Sequence, residues 1–294
     1  MNSAANNPRF DPAAFARRFV AAASNAGFGV VEYGTAGGFP LLAAEHTPPE
    51  PKLSLHISAG IHGDEPAGAL ALLALMSKRW FDLGLAWHIL PLLNPTGTAA
   101  NTRENAAGID LNRDYRDARA PETRAHIEWL RRNGRRYDAS LSLHEDWEAK
   151  GFYLYEMGTA PVNDGGSGGN GGGSAVGSTA GGTGGGVGTV SGAPLLGWSI
   201  LQSVEPVCGI DNSPEIDGFP ANNGLLQPHA QTSLEAVETW PEQLFLRARY
   251  AALSLTFETP SALPIDTRIL AQIIAIKTTV NLLLAPKIIE TFDI

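Results

Sequence analysis

A histidine and a glutamate stand three positions apart in the turn AGIHGDEPAG, residues 59–68, and both side chains are of types that bind metal ions. His62 and Glu65 follow a segment with the apolar alternation of a half-buried strand. Neutral imidazole and carboxylate are two of the three protein ligands that a hydrolytic zinc ion commonly takes, with the fourth position left for water. Alone, such a pair more often marks a solvent-facing turn, so a metal site requires a third ligand elsewhere.

The third candidate ligand is His144, at the end of the strand-like segment YDASLSLHE. Considered alone, it is more often a histidine satisfied at a strand terminus. Neighbouring strands lie about 4.8 Å apart, however, so two strands that end in His62 and His144 can bring these side chains together. The sequence therefore predicts a site for one zinc ion per chain, with His62, Glu65 and His144 as ligands.

Hydrolysis at a metal also requires a base, and Glu258 is the best candidate because it too lies at a strand end, in LSLTFETP. A glutamate near a dication can take a proton from water and pass it to the leaving amine. A surface carboxylate is an equally good interpretation of this residue in isolation.

Positive charge is concentrated in NTRENAAGIDLNRDY, residues 101–115. Arg103 could stabilise the oxyanion that forms as water attacks a carbonyl. Asn112 and Arg113 could hold a substrate carboxylate, since the guanidinium offers a planar fork of two donors. Arginines in turns are usually solvated or locally paired, so these roles depend on the combined pattern.

The elements that must position these residues alternate along the chain. The predicted strands are 52–59, 86–95, 137–145, 151–156 and 253–260, and the predicted helices are 65–80, 120–134, 240–251 and 269–285. This order predicts an α/β fold, a single domain over 1–294 with a mixed, largely parallel twisted sheet flanked by helices. The candidate residues follow strand C-termini, where open α/β sheets place ligands.

One segment departs from this pattern: residues 164–192 contain 15 of the 33 glycines. A Gly/Ser/Thr run buries nothing to offset its backbone entropy, so we predict a flexible surface insertion within the domain.

Composition restricts the partners and the compartment. A net charge of -9 argues against nucleic acid, because phosphate binding requires basic surface. We identify no signal peptide and no membrane span, and the single cysteine cannot form an internal disulfide, so a cytoplasmic protein is expected. The oligomeric state cannot be deduced from the sequence.

Taken together, the motifs resemble the zinc carboxypeptidase superfamily of metallopeptidases, over roughly residues 50–261. In that superfamily H-x-x-E and a later histidine bind zinc, an arginine polarises the scissile carbonyl, an adjacent asparagine and arginine hold the terminal carboxylate of the substrate, and a late glutamate is the base. The resemblance assigns these roles, in the same order, to His62, Glu65 and His144, to Arg103, to Asn112 and Arg113, and to Glu258. It implies a carboxypeptidase that removes the C-terminal residue of a short peptide.

Two features leave the substrate open. Digestive members carry a tyrosine about twenty residues before the base, and TSLEAVETWPEQLF contains none. HGDEPAG followed by DLNRDY also resembles the aspartoacylase and succinylglutamate desuccinylase branch, which hydrolyses N-acyl amino acids with the same zinc site. A non-catalytic binding module is a third alternative, which the retained Glu258 argues against.

Specificity residues are only weakly indicated. Glu145, Asp146 and Glu148 could attract an amine-bearing substrate, but we favour supporting or solvated roles for them. Tyr153 and Tyr155 are candidates to cover the site, although their alternation favours packing within a strand. The polar segment 210–224 is predicted to form a pocket loop.

Overall fold

A computed structural model of the chain describes residues 10–158, 195–228 and 237–285. The predicted glycine-rich insertion, residues 164–192, lies outside the described residues. The described strands are β1 (Gly29–Ala36), β2 (Phe39–His46), β3 (Ser54–Ala59), β4 (Ala86–Leu90), β5 (Tyr137–Asp146), β6 (Tyr153–Gly158), β7 (Glu215–Ile216), β8 (Phe219–Asn222), β9 (Leu225–Leu226) and β10 (Ala251–Pro260). The described helices are α1 (Pro12–Asn25), α2 (Pro66–Ser77), α3 (Pro95–Ala100), α4 (Pro121–Asn133), α5 (Gly197–Cys208), α6 (Glu242–Arg249) and α7 (Ile265–Leu284).

The strands form one sheet in the order β1-β2-β4-β3-β5-β10-β6-β9-β8-β7. Its centre, β4-β3-β5-β10, is parallel. On one side β1 and β2 pair antiparallel with their neighbours, and on the other side β6 pairs antiparallel with β10 and parallel with β9. The predicted mixed α/β sheet flanked by helices is therefore confirmed. The predicted strand 86–95 ends at Leu90, because Pro91 has no N–H for the ladder.

The two faces of the central sheet differ in polarity. Leu55, Ile57, Leu141 and Leu255 face the main hydrophobic core, which α1, α2, α5 and α7 complete. Alternate residues face α4 and α6 and are mainly polar: His56, Ser58, Ser140, Ser142, His144, Ser254, Thr256 and Glu258. The C-terminal end of this polar face carries the candidate chemistry.

Helix α7 is long and apolar enough to cross a membrane by length and composition alone. In the structure 44% of its apolar window is buried inside the domain, against α2 and α5. The helix predicted over residues 269–285 is therefore present and packs within the domain, although it begins earlier, at Ile265.

Candidate functional site

The three predicted metal ligands converge at the C-terminal ends of β3 and β5. His62 and Glu65 occupy the turn between β3 and α2, and His144 lies near the end of β5. Their ligand atoms lie within 4.8 Å of one another, and all three side chains are buried. One imidazole nitrogen from each histidine and one carboxylate oxygen form the donor set that zinc prefers.

The turn that carries His62 and Glu65 depends on two glycines. Gly60 adopts a φ of 62°, which L side chains rarely adopt. Gly63 packs directly on the backbone of α3, so that a Cβ there would lie 2.0 Å from the carbonyl carbon of Gly97. Pro66 then begins α2 in the position where proline is favoured.

The Glu65 carboxylate bridges the two imidazoles. Oε1 lies 2.6 Å from Nδ1 of His62, and Oε2 lies 3.0 Å from Nδ1 of His144. Burial lowers the pKa of His62, but the carboxylates of Glu65 and Asp110 outweigh it and raise this pKa to about 9. Burial dominates at His144 and lowers its pKa. The pKa of Glu65 is held far below its usual range, because its two histidines outweigh its burial.

Arg103 reaches the same cluster from a separate loop. Its Nε donates to Oδ2 of Asp110 at 3.0 Å, and its Nη1 lies 3.9 Å from Oε1 of Glu65. The buried Asn94 side chain ties the two loops together, because its Nδ2 donates to the carbonyls of Ile61 and Arg103. The structure thus holds a half-exposed guanidinium beside the candidate ligands.

Asp110 is a site residue that the sequence reasoning missed. Its Oδ1 lies 3.4 Å from Nε2 of His62 and accepts from the backbone N–H of Asn112 at 2.8 Å. Asp110 is the first residue of the motif DLNRD, in which Asn112 and Arg113 were singled out. The motif does not reveal which side chains Asp110 contacts.

Asn112 and Arg113 lie in a short 3₁₀ helix, Leu111–Arg113. Oδ1 of Asn112 accepts from the backbone N–H of Glu242 at 2.9 Å, which fixes the side chain against the start of α6. Arg113 is exposed, and its Nη1 donates to the carbonyl of Asn112. The amide nitrogen of Asn112 and the rest of the Arg113 guanidinium are available as donors to an anion.

Glu258 stands beside His144, since the two residues pair across the parallel strands β10 and β5. Burial, together with the negative charges of Glu65, Asp146 and Asp217, raises the pKa of Glu258 well above its usual value. A carboxyl group with a raised pKa can act as a proton acceptor or donor near neutral pH when a cation lies beside it.

Strand β6 and the turn between β7 and β8 form the side of the candidate active site next to Glu258. Tyr153 is buried and its hydroxyl donates to Oδ2 of Asp146 at 3.1 Å. The Tyr155 hydroxyl donates to Oδ2 of Asp217 at 2.7 Å. Asp217 belongs to the segment 210–224, predicted to form a pocket loop, and its carboxylate contributes to the raised pKa of Glu258.

A buried ion pair between β5 and α7 supports the metal-ligand cluster. Oε1 of Glu145 accepts from the backbone N–H of Ala67 at 2.6 Å, and Oε2 pairs with Arg268 of α7. Gln272, one turn further along α7, donates to the carbonyl of His144 at 2.8 Å. These contacts join α2, β5 and α7 at the point where the ligands meet, so Glu145 has the supporting position that we favoured.

The part of the chain that carries most of the candidate residues is similar to known catalytic domains. Residues 51–155 match the family model of the succinylglutamate desuccinylase/aspartoacylase catalytic domain. This span contains every candidate residue except Glu258. A curated relative, Carboxypeptidase SOL1 from Arabidopsis thaliana, is 33% identical over 132 residues, an alignment that covers 36% of this chain and 26% of that protein. The chain therefore matches about a quarter of the length of this relative.

Two solved structures extend the similarity across the fold. A candidate metallopeptidase from Shewanella denitrificans OS217 has a TM-score of 0.69 at 22% identity, covering 91% of this chain and 88% of that chain. Another, from Shewanella amazonensis SB2B, has a TM-score of 0.66 at 27% identity and covers 93% of both chains. The resemblance to the zinc carboxypeptidase superfamily is confirmed by the matched segment and by the fold.

Proposed function

We propose that this chain, a hydrolase of the zinc carboxypeptidase superfamily type, is a zinc-dependent metallocarboxypeptidase that hydrolyses the C-terminal amide bond of a short peptide. The observation that carries the proposal is the convergence of His62, Glu65 and His144 next to Glu258 and Arg103. The similarity to Carboxypeptidase SOL1 supports the peptide substrate.

The donor set fits a zinc ion. Two histidine nitrogens and one carboxylate oxygen, within 4.8 Å of one another, match the three protein ligands of a hydrolytic site. When bound, zinc supplies a Lewis acid that lowers the pKa of water to about 7 and polarises a carbonyl group.

The chain's own residues supply the remaining chemistry. Glu258 takes a proton from the attacking water and delivers it to the departing nitrogen. Arg103, held by Asp110, stabilises the negative charge that develops on the carbonyl oxygen. Asn112 and Arg113 bind the terminal carboxylate and so set which bond lies beside Glu258.

Matched peptides test the carboxylate anchor. Peptides with a free C-terminus and the same peptides amidated are incubated with the zinc-loaded protein, and the released residue is quantified. We expect cleavage of the free form and a loss of kcat/KM of about tenfold or more for the amidated form, because a charged hydrogen bond is worth about 1.5–3 kcal/mol. Equal cleavage of both forms contradicts a carboxypeptidase.

A second candidate function is hydrolysis of N-acyl amino acids. It is favoured by the match of residues 51–155 to the succinylglutamate desuccinylase/aspartoacylase catalytic domain and uses the same residues in the same roles. Release of acetate or succinate from a panel of N-acyl amino acids, without cleavage of peptides, would establish this function instead. Cleavage of peptides with no reaction on the acyl panel excludes it.

A further inference from the structure

A second buried group of potential metal ligands lies on the polar face of the sheet, further from the C-terminal end of β3 than the candidate active site. It consists of His56 on β3, His126 on α4 and Glu242 at the start of α6. Their ligand atoms also lie within 4.8 Å of one another, and each residue is at most 1% exposed. None of the three side chains takes part in the proposed hydrolysis.

Several polar atoms in this group have no hydrogen-bond partner among the described residues. They are both ring nitrogens of His56, Nε2 of His126 and Oε1 of Glu242. A buried polar atom without a partner is destabilising, so several in one place indicate that something else satisfies them. These atoms belong to three side chains from three separate elements, and one ligand atom from each side chain lies within 4.8 Å of the others.

The remaining polar atoms of His126 and Glu242 have partners, and the two side chains lie beside each other, with Oε1 of Glu242 3.8 Å from Nδ1 of His126. Nδ1 of His126 lies 2.7 Å from the Tyr115 hydroxyl, so in the tautomer that donates to this oxygen the lone pair of Nε2 remains free. Oε2 of Glu242 accepts from the hydroxyls of Ser58 and Ser142 at 2.8 and 3.1 Å. Hydrogen bonds to the non-ligating atoms are a general property of protein metal ligands.

The protonation states also suit a cation. Burial lowers the pKa of His126 to about 3 and that of His56 well below its usual value, so both imidazoles are neutral at pH 7. Neutral imidazole is the ligating form. Burial raises the pKa of Glu242 to about 7, and a neighbouring cation would favour its charged form.

We propose that His56, His126 and Glu242 bind a second divalent metal ion, of the class that prefers two imidazoles and a carboxylate, such as zinc. The ion joins the central sheet to α4 and α6 at a place that is closed off from solvent. Glu242 also binds Asn112 through its backbone, so the ion stabilises the region that carries the proposed carboxylate anchor. These three ligands lie outside the hydrolytic site, so the second metal site does not depend on which substrate is correct.

Metal analysis of the purified full chain tests the proposal. After incubation with zinc and gel filtration, we expect two zinc ions per wild-type chain and one in the His144→Ala variant, which has lost a hydrolytic-site ligand. Adding His126→Phe to His144→Ala should reduce the content to zero. The matched control is His88→Phe in the same background, because His88 is a buried histidine beside His56 in the sheet register but lies outside the group. This control should retain one zinc ion.

A conservative variant and a direct measurement cover the case in which His126→Phe does not fold. Glu242→Gln keeps the side-chain shape and should lose the second zinc ion with an unchanged circular dichroism spectrum. In wild-type crystals, anomalous diffraction at the zinc edge should give a peak between His56, His126 and Glu242. A folded His144→Ala variant without zinc, or a water molecule in place of that anomalous peak, overturns the proposal.

Discussion

Glu258 and His144 are directly paired in the register of β10 and β5, so the candidate base and a candidate metal ligand are positioned by the same ladder of hydrogen bonds. Their side chains follow the same alternation as the serines that precede them and emerge on the polar face of the sheet. Neither position depends on a long flexible loop. This arrangement gives the proton acceptor a fixed distance from the metal ligands.

The first prediction concerns Glu258 itself. Glu258→Gln keeps the shape of the side chain but removes its capacity to accept a proton, and the residue is not one of the proposed ligands. We expect zinc content to stay unchanged and kcat to fall by a factor on the order of 10² or more. Kinetics and metal analysis of the same preparation measure both. Glu128→Gln serves as the control, because Glu128 is partly exposed on α4 and pairs with Arg131 and Arg132. Full activity in Glu258→Gln would assign the base to another residue.

The second prediction concerns Arg103. Arg103→Lys retains the charge but loses the Nε donor that binds Asp110, so the cation is no longer held at the cluster. We expect kcat to fall by about 10² with a smaller change in KM, because the interaction is made mainly in the transition state. Arg119→Lys is the control, since Arg119 is exposed and pairs with Asp114 away from the ligands. A change confined to KM would indicate that Arg103 binds substrate instead.

The third prediction is structural. Gly63→Ala places a Cβ 2.0 Å from the carbonyl carbon of Gly97, so the turn or α3 must move. We expect a loss of about 3 kcal/mol in the free energy of unfolding, the upper end for overpacking, together with weaker zinc binding. Gly29→Ala is the matched control, because its Cβ would meet the nearest atom at an ordinary 3.7 Å. Denaturant unfolding that shows equal stability for both variants would contradict the close packing of this turn.

The fourth prediction concerns protons at the hydrolytic site. Because the pKa of His62 is raised to about 9 without metal, His62 carries a proton at pH 7, and a cation that binds there must displace it. The apparent zinc affinity should therefore fall by about tenfold for each pH unit below 9. Calorimetric titrations of the demetallated protein in buffers with different ionisation enthalpies report the proton released. Binding enthalpies that do not depend on the buffer would show that His62 is already neutral.

The sequence predicts the parts of this site that have local signals. Period-two alternation located β3, β5 and β10, and the turn residues after β3 placed His62 and Glu65 at a strand end. The partners that come from distant elements carry no such signal. Arg268 pairs with Glu145 across 123 positions of the chain, and Glu242 reaches Ser58 across 184. The hairpin of β1 and β2 was also missed, since neither strand alternates regularly between buried and exposed residues: β1 is mainly accessible to solvent, and the middle of β2 is continuously buried.

The most direct test of the proposed function is removal and return of the metal. The full chain is treated with a chelator until metal analysis shows that its exchangeable zinc is gone, and hydrolysis of the peptide and N-acyl amino acid panels is then measured before and after addition of zinc. We predict that activity disappears with the zinc and returns when zinc is added to the wild type but not to His144→Ala. Activity that persists in the stripped protein, or that zinc restores equally in His144→Ala, would contradict a metal-dependent hydrolase built on His62, Glu65 and His144.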